Sequence, residues 1–367
     1  MLIVHRGETA GALVSGLAEV LAVPPSDPFT PETIVVPTRG IERWIAQSLS
    51  VLPAGGKPAP GITANIDFRF PARFFSDVLA AAEPDGSDRW DRANLRWVIL
   101  DILDDHLADP AFAPVWAFVD GPAANRIVAA DRIAGLFARY DHQFPALLRA
   151  WANNGDTGPH GTDLDPTHRW QPILWRSLRQ YLNIPCLAER IDDIGQLLAD
   201  DPGRLDLGDR VCLYGFTAVP EGQLKLLQAV AASRDVHLFA LHPSDGAWTG
   251  STDDGARNSL LRSWGRDAER LRTLLATLHF DDAVHHPSPP PRTETLLGRI
   301  QSRIRADQEA PDDTPLDPTD RSIQIHSCHG PRRQVEVVRD AILHALRADP
   351  TLEPRDVVIM CPDVEAF

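Results

Sequence analysis

The run Ile34-Val35-Val36, followed by Pro37-Thr38-Arg39-Gly40 and the amphipathic stretch 41–49, constrains this chain more than any other. Three β-branched apolar residues without polar alternation read as a strand buried on both faces, the habit of a parallel sheet. Pro37 ends the strand, because it has no N–H to donate to a ladder. Thr38 can cap the helix that follows, with Glu42 near the position that completes a capping box. Ile41, Trp44, Ile45 and Leu49 then share a helical face, and their spacing places Trp44 in the core. Arg39 and Arg43 are left at the carboxyl end of the strand, where open α/β sheets bind ligands. The bland alternative is an ordinary β-α unit with surface arginines.

The same rhythm organises the rest. Residues 1–4 read as a strand and 8–21 as a helix. Residues 64–71 are an extended segment closed by Pro71, with a helix from Ala72. From about 71 to 201 the text turns helical, with apolar residues in step over 90–106, 125–140 and 171–182. Strands return at 210–216 and 236–241, with a helix at 221–232 between them. One long helix is expected over 258–278. The proline-rich 285–292, whose His285-His286 pair reads as solvated, and the acidic 307–318 look like linkers around a helix near 293–305. A second sheet domain then begins. It has buried strands at 322–326 and 356–360 around a helix at 334–346, on which Val335, Val338, Ile342 and Leu346 share a face. Two strands and a helix cannot close a core, so this domain reads as truncated.

Composition narrows the chemistry. No segment approaches the roughly 20 apolar residues of a membrane span, and the N-terminus reads as a first strand rather than a signal peptide. Four scattered cysteines (Cys186, Cys212, Cys328 and Cys361) form no CxxC pair, which points to a reducing cytoplasm and away from zinc. The net charge of -15 is wrong for a general nucleic-acid coat, yet a local basic channel can persist under an acidic total. Only Lys57 and Lys225 among the 36 basic side chains are lysine.

That scarcity is informative, because many catalytic motifs need a lysine. No G-x-x-x-x-G-K-[ST] phosphate loop occurs, and Gly55-Gly56-Lys57-Pro58 reads as a plain loop. The strand at 211–214 ends in Gly215-Phe216 where an ATPase would carry acids. No G-x-S-x-G elbow is present. His326-Ser327-Cys328-His329 has no second ligand pair and reads as a strand end. What remains is binding chemistry. Arg39, Arg43, Arg69 and Arg73 flank two successive sheet-to-helix junctions, interleaved with Trp44, Phe68, Phe70, Phe74 and Phe75. Such a rim can track phosphates and stack bases.

Several longer stretches carry a specific resemblance. Asp27-Pro28-Phe29, the 34–44 unit with Gly40 and Trp44, and 61–68 with Pro71 and Phe74 are similar to the N-terminus of the RecC family, the gamma subunit of exodeoxyribonuclease V (RecBCD). The likeness continues through 170–175, 211–220, 258–265, 320–337 and 349–357 in the family's order and spacing. Family members are far longer, so this chain resembles their N-terminal third.

The resemblance implies an α/β fold. A degenerate superfamily 1 helicase-like parallel sheet domain would span 1–70 and 202–318, with an inserted helical domain at 71–201. A second helicase-like domain would begin at 321–367. It implies a non-catalytic subunit that holds RecB-like and RecD-like partners in a heterotrimer, receives DNA ends and guides single-stranded DNA, and scans for Chi. ATP and Mg would be used by the partner subunits, with no cofactor or metal held by this chain, in the cytoplasm and away from membranes. The family's channel positions map to Pro37, Arg39, Arg43, Phe70, Ser76, Gly135, Leu136, Ala138 and Phe144. With the neighbouring Thr38, Arg73 and Arg139, the DNA-binding candidates are Pro37, Thr38, Arg39, Arg43, Phe70, Arg73, Ser76, Leu136 and Arg139. The competing readings are an AddB-type subunit with catalytic parts elsewhere, and a structural partner-binding module that never touches DNA.

Overall fold

In a computed structural model, the described residues are 1–82, 89–106, 108–249, 255–278, 280, 282–309, 315 and 317–365. Six strands are β1 (Leu2–Gly7), β2 (Glu32–Val35), β3 (Ile66–Arg69), β4 (Arg210–Phe216), β5 (Asp235–Leu241) and β6 (Asp282–His286). The helices before β4 are α1 (Ala10–Leu21), α2 (Arg39–Val51), α3 (Pro71–Ala82), α4 (Arg92–His106), α5 (Ala113–Val119), α6 (Ala124–Gln143), α7 (Pro145–Ala152), α8 (Trp170–Leu182) and α9 (Leu187–Asp200). After it come α10 (Glu221–Ala231), α11 (Asp245–Thr249), α12 (Ser259–Trp264), α13 (Arg266–Thr277), α14 (Leu296–Ala306) and α15 (Gly330–Ala348). The chain divides into two units, residues 1–290 with 303–310, and residues 291–302 with 311–367.

The first unit is built on one all-parallel sheet, in the order β3-β2-β4-β5-β1-β6. Its central strands are apolar on both faces because both are covered, as the 34–36 run foretells. Val35, Leu213, Leu238 and Val4 face one core, shared with α3, α9, α10 and α13. Ile34, Val36, Cys212, Tyr214 and Phe239 face the other, shared with α1 and α2. Ile34, Val35 and Val36 are fully buried. Trimming Ile34 to alanine would cost about 2–5 kcal/mol through lost transfer energy and an unfilled cavity. Residues 90–188 supply a separate, wholly helical core centred on Trp151, Trp175, Phe112 and Phe137.

Four expectations fail in instructive ways. The helix expected over 258–278 breaks at Gly265, which ends α12 and precedes α13. The linker expected at 285–292 begins inside β6, the edge strand. Its histidines are only partly exposed and both are hydrogen-bonded. His286 Nε2 hydrogen-bonds His5 Nδ1 at 2.9 Å, and His285 Nε2 donates to Glu8 Oε1 at 2.6 Å. The anticipated capping box also fails. Thr38 Oγ1 accepts from the Ile41 amide, and Glu42 lies one residue too far along. Trp44, placed in the core by spacing, is 37% exposed and leans on the Tyr214 ring, whereas Ile45 and Leu49 are buried.

The second unit carries α15 in the expected place and longer at both ends, but none of its residues is buried. Residues 322–326 and 357–360 form no strand, and Ile325, Val358 and Met360 are largely exposed. Strand propensity without a neighbouring strand offers the backbone no ladder. His326 therefore stands in exposed coil rather than at a strand end. Of the acidic 307–318 stretch, residues 310–314 and 316 lie outside the described residues.

Candidate nucleic-acid interface

At three pairs of neighbours, β3 with β2, β2 with β4 and β5 with β1, the onward connections part to opposite faces, the arrangement that opens a crevice at the carboxyl edge of a parallel sheet. The first crevice lies at the end of β2. Val36 still donates to the Arg69 carbonyl at 2.9 Å, and Pro37 then turns the chain into α2. Opposite, β4 bulges between Tyr214 and Phe216 at Gly215, whose φ is 81°. A side chain there would be strained, and its Cβ would lie 3.2 Å from the Ile41 side chain. The bulge thus lets the 37–41 turn seat against the end of β4.

Arg39 opens α2 and Arg43 follows one turn later, both exposed. Neither has an ion-pair partner among the described residues. Cations at a helix N-terminus add to the positive end of the macrodipole, and Glu42 in the same turn offsets part of that charge, leaving this rim net positive. Phe70, 37% exposed, stands at the neighbouring end of β3.

The other candidates separate into two places. Leu136 and Arg139 line a groove of about 800 Å³ along α6, with Arg92, Arg132, Gly135, Ala138 and Trp170, closed by Pro220 and Gln223 at the start of α10. Ser76 lines a second groove of about 510 Å³ with Phe75, Asp91 and Asn94. His142 and Gln223 belong to both, so the two grooves adjoin. Arg73, in contrast, faces a pocket of about 300 Å³ on another side of α3, with Arg69, Asp77 and Arg204. There Asp77 lies 3.6 Å from Arg69 and 3.9 Å from Arg73, which tempers their charge. Phe144 ends α6, turned to Tyr140 and to the Arg270 guanidinium 5.6 Å from its ring centre.

Burial anchors the wall of the larger groove. Asp141, next to His142, accepts from the Leu187 and Ala188 amides at 3.2 and 2.9 Å and so caps α9 from the end of α6. Burial pushes its carboxyl above the usual range, against these two amide bonds. His142, Gln223 and Arg132 escaped the sequence reading. Their only signal was proximity in sequence to Leu136 and Arg139, and Gln223 lacks even that, since it arrives with α10.

The second crevice lies at the ends of β1 and β5. Glu8, Asp245 and His285 bring ligand atoms within 4.8 Å of one another, a spacing a metal ion could span. Each is already engaged. Arg6 ion-pairs Asp245, while Glu8 takes His285 and the Ser288 amide. Those hydrogen bonds hold the Glu8 carboxyl below its usual range, outweighing burial, which acts the other way.

A family model described as RecC, N-terminal domain, matches residues 2–307. The chain belongs to the RecC family. Among its relatives, the RecBCD enzyme subunit RecC of Mycobacterium tuberculosis is 36% identical over 99% of this chain and 34% of the relative. That of Mycolicibacterium smegmatis is 34% identical over 99% and 33%, and that of Escherichia coli 28% over 93% and 35%. The chain thus spans about a third of the length of these RecC relatives. Among the described residues, no helix is long and apolar enough to cross a membrane.

Proposed function

We propose that this chain is the DNA-guiding, non-catalytic part of a RecBCD-type subunit acting in double-strand break repair by recombination. The observation that carries the reading is the pair of adjoining grooves that brings Ser76, Leu136 and Arg139 together. Arg39 and Arg43, without ion pairs among the described residues, add a rim of charge suited to phosphates. A strand lying along such a surface would meet cations for its backbone and apolar walls for its bases.

On this reading the sheet is a degenerate superfamily 1 motor domain, residues 71–201 are its helical insert, and 321–367 open a second motor-like domain. RecB-like and RecD-like partners in the cytoplasm supply the ATP- and Mg-dependent chemistry. DNA ends enter the assembly, and the grooves carry the single strand that is scanned for Chi. The test is a photoreactive forked duplex bound to the full-length protein with its partner subunits. Cross-links are expected within residues 34–76 and 131–143. Cross-links confined to other parts of the subunit would replace this reading with a structural, partner-binding one.

A further inference from the structure

Resting on that DNA-guiding reading, we infer that His142 and Gln223 form a base-reading pair at the junction of the two grooves. Their ligand is the polar edge of an unstacked base in single-stranded DNA. The two side chains come from distant parts of the sequence and meet because α10 begins hard against the end of α6. A Cβ on Gly222 would lie 3.2 Å from the His142 carbonyl oxygen and 3.3 Å from that of Asp141, so a side chain there would crowd this approach. The approach sets Gln223 beside His142, and both side chains line both grooves.

Their polar atoms are also unspent. His142 Nδ1 is buried without a hydrogen-bond partner. That atom is too enclosed for a base to reach, so the partly exposed imidazole meets the ligand through Nε2, which has no hydrogen-bond partner among the described residues. The Gln223 amide makes no side-chain hydrogen bond among the described residues. Asp141, which neighbours His142 in sequence, is occupied by α9 and does not compete. An imidazole offers a donor or an acceptor, and a primary amide offers both. That set matches the Watson–Crick or Hoogsteen edge of a splayed base. Arg132 and Arg139, free of ion pairs among the described residues, line the same groove and suit the backbone. The junction thus divides labour, with arginines for phosphate and His142 with Gln223 for base identity.

The experiment measures binding of oligo-dA, oligo-dC and oligo-dT to the full-length protein with its partner subunits, across a salt series. The native assembly should discriminate among the three by about tenfold, the scale of one good polar pairing. His142→Ala with Gln223→Ala should shrink that ratio to within about twofold and leave the salt slope unchanged, because no phosphate contact is lost. Arg132→Ala with Arg139→Ala should weaken all three equally and flatten the slope by about 0.7 per lost contact. Arginine variants that change nothing would remove DNA from this groove and overturn the functional reading with the inference. Arginine variants that behave as expected, alongside an unaltered ratio in the His142/Gln223 variant, would overturn the base-reading pair alone. So would a native assembly with no preference among the three.

Discussion

The two crevices at the carboxyl edge of one sheet differ in what their charges do. Beside β2, Arg39 and Arg43 stand exposed at the start of a helix, without an ion pair among the described residues. Beside β1, Arg6, Glu8, Asp245 and His285 consume one another, and Glu8 also ties down the Ser288 amide. Behind that second cluster the sheet carries a row of histidines. His5 Nε2 bonds His237 Nδ1 and His5 Nδ1 bonds His286 Nε2, each at 2.9 Å, with the His5 ring stacked on Phe239. The same topological position thus serves two ends. One crevice is left open with a surplus of positive charge, and the other is filled and serves to hold the edge strand β6. Topology proposes a site, and the pairing of charges decides whether a ligand can use it.

The strongest test of the filled crevice is acid. Burial holds His5, His237 and His286 below the ordinary histidine range, His5 down to about 3, where its two neighbours add to the effect. His5 therefore stays neutral in the fold well below about pH 6.5, where the unfolded chain takes up protons, and His237 and His286 take theirs up later in the fold than in the unfolded chain. Their contribution is complete above that pH and is lost as pH falls toward the folded values. His5, kept neutral, costs about 1.4 kcal/mol of stability per pH unit in that window. Urea unfolding of the chain between pH 7 and 4.5 should show a steep fall, and His5→Leu should flatten it. A constant midpoint across that range would show that the histidine row is not proton-linked. Below about pH 4.5 Glu8 adds its own loss, because its folded carboxyl lies below the usual value and its contribution vanishes on protonation.

At neutral pH the comparison narrows to single side chains. Glu8→Ala leaves the Ser288 amide and His285 without their acceptor and should cost about 1–3 kcal/mol. Arg39→Ala with Arg43→Ala, on the open side, should stay within about 0.5 kcal/mol of the parent. Equal losses in thermal or urea unfolding would erase the distinction between the crevices.

The difference also explains what the sequence could reveal. The strands at 34–36, 211–214 and 236–241 were legible because burial on both faces leaves an uninterrupted apolar run. β6 was not. Asp282-Ala283-Val284-His285-His286 reads as polar, and its histidines are covered by partners from elsewhere in the chain, His5, Glu8, Gly16 and Phe239. The turn with Arg39 and Arg43 was legible as a strand end followed by a capped helix. Trp44 was misplaced because helical spacing gives a face but not how wide its buried stripe is. The grooves were only half legible. Ser76 and Leu136 came from family resemblance and Arg139 from its place beside the mapped positions, while His142 and Gln223 meet through the packing of α10 on α6, which no local pattern encodes.

The smallest effect on the fold carries the largest consequence for the open crevice. Arg39→Ala with Arg43→Ala removes no ion pair among the described residues, so any change in DNA binding reports the ligand directly. In the full-length protein with its partners, single-strand affinity should fall most at low salt. Each arginine that touches a phosphate releases counterions, so the slope of log affinity against log salt should flatten by about 0.7 per contact, or about 1.4 for both. A drop in affinity at constant slope would instead assign the arginines to base edges, where the contact is polar but releases no phosphate counterion. Unchanged affinity and slope would leave the β2 crevice an ordinary solvated helix start, with the grooves along α6 and α3 as the DNA-facing surface.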